Sequence, residues 1–108
     1  MKLEALFMAN CNVIGSLPSW LSELKELRQL DLQRNRLSGE LPVEIGALEN
    51  LLYLNLKDNP TLGGLLPVTA LCRLRKLNRL SLVQCNFEQA EEAQQILQQN
   101  LSKCKIWI

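Results

Sequence analysis

A leucine phrase recurs along the chain at Leu3, Leu27, Leu51, Leu77 and Leu101, at spacings of 24, 24, 26 and 24 residues. A fixed period in the twenties restricts the fold to a solenoid, because one such unit cannot bury its apolar side alone and must stack on its neighbours. The most regular unit is Leu27 to Asn50, LRQLDLQRNRLSGELPVEIGALEN. Leu30 and Leu32 alternate there with Gln29, Asp31 and Gln33, the period-2 pattern of a short half-buried strand. Asn35 follows at a bend, where its amide can satisfy backbone groups on both sides and form a ladder through the stack. Gly39 and Pro42 break the return path, so a regular helix is not expected there.

The other units vary this theme. In the first, Leu3, Leu6 and Met8 give the strand, Cys11 takes the asparagine slot, and a helical or 3-10 turn is expected around Ser19 to Leu24. Trp20 is expected on the convex side, packed over the outer layer. The third unit has Asn59 in the slot and two extra residues in its return path, with Gly63-Gly64 expected to bulge. The fourth has Cys85 in the slot and loses its Gly and Leu-Pro. FEQAEEAQQILQQ follows, a helix-forming composition with Ala90, Ala93, Leu97 and Leu101 at helical spacing, so a helix over 88–100 is expected. In the last phrase, Cys104 and Ile106 align with Leu80 and Leu82, which gives a terminal strand at a sheet edge.

The second unit reads Leu27, Leu30, Leu32, Asn35, Leu37, Gly39, Leu41, Pro42, Ile45, Leu48, and its neighbours follow it closely. This resembles the leucine-rich-repeat family, in its 24-residue plant-specific subtype. The resemblance implies an α/β fold: a right-handed horseshoe with a parallel sheet on the concave face, 3-10 or irregular return paths and one C-terminal helix. It also implies a role in protein recognition. Residues 1–108 are read as a single domain of that kind.

The concave face carries the residues between the inward leucines. The candidate partner-binding residues are Phe7, Asp31, Arg34, Tyr53, Asn55, Lys57, Arg79, Ser81, Lys103, Lys105 and Trp107. Aromatic and arginine side chains are the usual centres of binding energy. The clustering of Lys57, Arg79, Lys103 and Lys105 points to an acidic protein partner. Net charge is +1, which gives no general argument for nucleic acid. No apolar run is long enough to cross a bilayer, and the opening MKLEALFMAN carries Glu4 and no leader-like core.

The chain has no His, which removes Ser-His and Cys-His catalysis, and no Cys-x-x-Cys for zinc. No enzyme activity, metal or cofactor is expected. Cys11, Cys72, Cys85 and Cys104 fall at repeat positions that do not pair, so reduced thiols and a cytoplasmic location are expected. The expected function is a non-enzymatic interaction module. The alternatives are a self-associating module that uses an exposed end, and the recognition part of a larger chain.

Overall fold

The computed structural model describes residues 2–108. Nine short strands form two parallel sheets. The first contains β1 (Ala5–Phe7), β3 (Gln29–Asp31), β5 (Tyr53–Asn55), β7 (Arg79–Ser81) and β9 (Lys105–Trp107), in that order. The second contains β2 (Ile14–Gly15), β4 (Arg36–Glu40), β6 (Thr61–Leu65) and β8 (Asn86–Glu88). Each repeat thus contributes one strand to the first sheet, and the first four repeats add a strand of the second on the way back. The expected 3-10 turns appear at Ser19–Glu23 and Val43–Ala47, and the third return path holds one α-turn, α1 (Val68–Leu71). The expected helix is α2 (Ala90–Asn100).

The core is a stack of leucines. Leu27, Leu51 and Leu74, the strand leucines Leu30, Leu54 and Leu80, and Leu37 and Leu62 of the second sheet are all within 1% of complete burial. Truncating such a side chain costs about 2–5 kcal/mol, since the removed contacts are not replaced.

The asparagine ladder forms as expected. Asn35 donates from Nδ2 to the Met8 carbonyl at 2.9 Å and the Leu32 carbonyl at 3.0 Å. Its Oδ1 accepts from the Cys11 and Val13 N–H groups at 3.0 and 2.9 Å. Asn59 repeats this one unit on: it donates to Leu32 at 3.0 Å and Leu56 at 2.9 Å and accepts from Leu37 N–H at 3.0 Å. Cys85 holds the slot with its thiol alone, which donates to the Leu56 carbonyl at 3.1 Å. Burial pushes this thiol's pKa up, which keeps the proton that makes the bond, although the Asn59 backbone N–H pulls the other way. In all four repeats the residue just before the slot is left-handed: Asn10, Arg34, Asp58 and Gln84 have φ between 55 and 63°.

Several expectations are corrected. The second sheet lies where irregular return path was expected. Gly63 and Gly64 do not bulge but sit inside β6, paired with Asn86 and Phe87. A side chain on Gly63 would run into the Asn86 carbonyl, so glycine is what lets β8 approach. Trp20 does not pack over the outer layer and is 57% exposed.

The last strand is shifted as well. Gln29 pairs with Ala5, Tyr53 with Gln29, Arg79 with Tyr53 and Lys105 with Arg79, so the strands repeat every 24, 24, 26 and 26 residues. The partner of Leu80 is Ile106, not Cys104. The segment from α2 to β9 takes up two more residues than the leucine phrase implied. Cys104 is still buried, at the turn where its N–H donates to the Leu101 carbonyl at 2.9 Å. A slip of two residues preserves which face each side chain takes, so Lys105 and Trp107 stay concave while Lys103 falls before the strand.

β9 is an edge strand, and α2 covers it. Lys105 bonds to β7 through its N–H, which donates to Asn78 at 2.9 Å, and Trp107 through its carbonyl, which accepts from Leu82 N–H at 2.7 Å. The carbonyls of Cys104 and Ile106 therefore point away from the sheet. Gln98 donates to the first at 3.0 Å and Gln94 to the second at 3.3 Å. Ala93 and Leu97 on the same helix are buried.

Candidate functional site

The first sheet is concave, and its open side forms a hollow of about 570 Å³. Eight candidate residues line it: Phe7, Asp31, Tyr53, Asn55, Lys57, Arg79, Ser81 and Trp107. They converge because the parallel register puts equivalent positions side by side. One row across the strands runs Ala5, Gln29, Tyr53, Arg79, Lys105, and the next outward row runs Phe7, Asp31, Asn55, Ser81, Trp107. Leu30 and Leu54 form part of the floor, and Gln29 and Val83 complete the wall. The last two are concave by strand alternation and were missing from the candidate residues, which favoured aromatic and charged side chains.

Three candidates lie outside the hollow. Arg34 sits at the rim in a left-handed turn, with Nε 3.6 Å from Asp58 Oδ2. Lys103 is in the turn before β9, exposed and off the sheet, for the reason of register given above. Lys105 is on β9 next to Arg79 but does not line the hollow.

Some of these side chains are held in place. The Arg79 guanidinium lies 5.7 Å from the centre of the Tyr53 ring, within cation–π range. Asp31 accepts from the Gln33 N–H at 3.2 Å and from Gln33 Nε2 at 3.1 Å, and Asn55 accepts from the Lys57 N–H at 3.2 Å. These short loops fix the two acceptors at the ends of β3 and β5. Among the described residues the ion pairs are Arg28 with Glu4 and Arg34 with Asp58, both between exposed side chains. Lys57, Arg79 and Lys105 are in neither, so they present positive charge to solvent.

Comparison with known proteins bears on what this surface is. The family model described as Leucine Rich Repeat matches residues 2–24 and 26–48, the first two units of the stack just described. The chain belongs to the leucine-rich-repeat family. Receptor-like protein 32 of Arabidopsis thaliana is 42% identical to this leucine-rich-repeat chain over 78 residues, which is 71% of the chain and 9% of the relative. The chain thus spans about a tenth of the length of that relative. Among solved structures, the plant peptide hormone receptor RGFR1 in complex with RGF2 is 32% identical with a TM-score of 0.77, covering 90% of this chain and 15% of the other. The LRR ectodomain of the Arabidopsis thaliana receptor kinase SOBIR1 is 32% identical with a TM-score of 0.72, covering 80% and 45%. A Leptospira interrogans LRR protein is 34% identical with a TM-score of 0.80, covering 98% and 25%.

These findings overturn the cytoplasmic, intracellular expectation. A receptor-like protein and a receptor-kinase ectodomain point to an extracellular or membrane-associated setting. The cysteines carry no compartment signal, because repeat geometry accounts for where they sit. Cys85 fills a ladder slot and Cys104 a core position, and neither needs a reducing environment to be there. No helix among the described residues is long and apolar enough to cross a membrane.

Proposed function

We propose that residues 1–108 act as one non-catalytic recognition unit, which binds a protein or peptide partner through the concave sheet. The observation that carries this is the hollow itself. It brings the aromatic side chains Phe7, Tyr53 and Trp107 together with the cations Lys57 and Arg79 over an apolar floor. That is the composition of binding centres, in which apolar contact supplies affinity and a few charges set orientation. The plant peptide hormone receptor whose fold this chain shares was solved with RGF2 bound, which supports a peptide or protein as the partner. The excess of cations favours an acidic one; nucleic acid is disfavoured by the near-neutral net charge. The length of the relatives supports reading the unit as part of a larger receptor chain.

The test uses two baits on a membrane and cell-wall extract: the wild-type chain, and a Tyr53→Ala, Lys57→Ala, Arg79→Ala variant with an unchanged melting temperature. A protein or peptide held by the first and lost by the second is the expected result. Equal capture by both would move recognition off the sheet.

A second reading rests on the other end of the stack. β1 is an edge strand with no helix across it, and Phe7 and Ile14 are 61% and 71% exposed. Self-association through that end is the rival function. A sedimentation profile whose mass rises with concentration, and falls back in an Ile14→Asp variant, would establish it.

A further inference from the structure

The outward row of the concave sheet has an order that specifies more than a partner class. Phe7, Asp31, Asn55, Ser81 and Trp107 are register neighbours on five successive strands. The row is aromatic at both ends and hydrogen-bonding between them. Both end rings are free to take a ligand, at 61% and 47% exposed. Four inter-strand steps of about 4.8 Å separate them, about 19 Å in all. An extended peptide advances about 3.3 Å per residue, so about six residues cover this distance. Six is even, and side chains an even number apart leave an extended chain on the same side.

We propose that this row is the recognition track for an extended peptide segment lying across the strands, with two large apolar side chains six residues apart. One apolar side chain seats on Phe7 and the other on Trp107. Asp31, Asn55 and Ser81 meet the intervening backbone, offering acceptors to its N–H groups and, from Asn55 and Ser81, donors to its carbonyls. Charge sets the polarity of the track. The cations Arg79 and Lys105 flank its Trp107 end, whereas Asp31 lies toward the Phe7 end. The peptide therefore carries an acidic residue two positions from the anchor that Trp107 holds. This inference rests on the concave-binding reading and specifies the ligand for it.

A phage-displayed library of random twelve-residue peptides, selected on the immobilised chain and counter-screened on a Tyr53→Ala, Arg79→Ala variant, tests it. The expected winners share an apolar pair at positions i and i+6, with Asp or Glu two residues inside one of them. Synthetic winners should bind about tenfold more weakly after one residue is deleted between the anchors, because that turns one anchor to the opposite side. Phe7→Ala and Trp107→Ala should each weaken binding by a similar factor. Winners that are lost on the double variant yet tolerate every anchor spacing would overturn the track and leave the concave site standing. Winners bound equally by the double variant, or a selection that enriches nothing, would overturn both.

Discussion

Asn59 is fully buried and uses its amide on both sides, joining the backbones of two repeats. Replacing it with alanine leaves the Leu37 N–H without a partner in a leucine interior, while the Leu32 and Leu56 carbonyls each lose one of two donors and keep Asn35 and the Cys85 thiol. Asn59→Ala should therefore cost about 2 kcal/mol, measured by urea denaturation, since one buried orphan N–H costs about 1–3 kcal/mol. Cys85→Ala removes one thiol bond from the equivalent slot and should cost about 1 kcal/mol. Equal losses would mean that the ladder is not what ties the repeats together. Cys104 offers a second residue-scale test. Burial raises its thiol from 9.0 to about 11. The unfolded chain then loses that proton at a lower pH than the folded chain. The contribution to stability is complete below pH 9 and is lost as pH rises toward 11. In thermal melts, Cys104→Val should gain on the wild type across that window, and a constant difference would refute the assignment.

At the scale of elements, α2 is both a return path and the cover of a sheet edge. Gln94→Ala with Gln98→Ala removes the two side chains that occupy the outward carbonyls of β9. Exposed strand edges recruit other strands. The double variant should show a mass that rises with concentration in sedimentation experiments, where the wild type shows a smaller rise or none. The helix itself was legible in the sequence, because Ala90, Ala93 and Leu97 keep helical spacing without Gly or Pro. The first-sheet strands were legible for a similar reason: Leu30/Leu32 and Leu54/Leu56 alternate cleanly. The second sheet was not legible. Its strands are two to five residues long, are interrupted by Gly15, Gly39 and Gly64, and exist only through pairing with neighbouring repeats. The register of β9 was hidden too, since how much chain a helix consumes depends on its packing. For the candidate site, eight of the eleven residues picked from strand alternation line the hollow. Alternation could not show that Arg34 turns aside to Asp58, because that follows from a left-handed backbone at position 34.

On the scale of the whole molecule, the two ends of the stack differ. The β9 end is closed by α2, and Leu101, Cys104 and Ile106 are buried there. At the β1 end Met8 and Ile14 are exposed, and Cys11 has only its own repeat's Ala9 carbonyl for its thiol. A solenoid is held by neighbour-to-neighbour contacts, so unfolding starts in the repeat with the least burial. Amide exchange of this chain should be fastest in residues 4–15 and slowest in the strands of the second and third repeats. Uniform protection would show a single cooperative unit instead.

The change in return paths along the stack also bears on shape. On the concave side every strand is held at the same spacing by its hydrogen bonds. On the outer side the packing thickness changes, from 3-10 turns in the first two repeats to α1 and then the three-turn α2. A helix with its side chains is about 10–12 Å across. A wider outer layer on a fixed inner spacing calls for a longer outer arc, so the curvature is expected to tighten toward β7 and β9. The expected shape is thus a spiral rather than a circle, bent most at the end that carries Arg79 and Trp107.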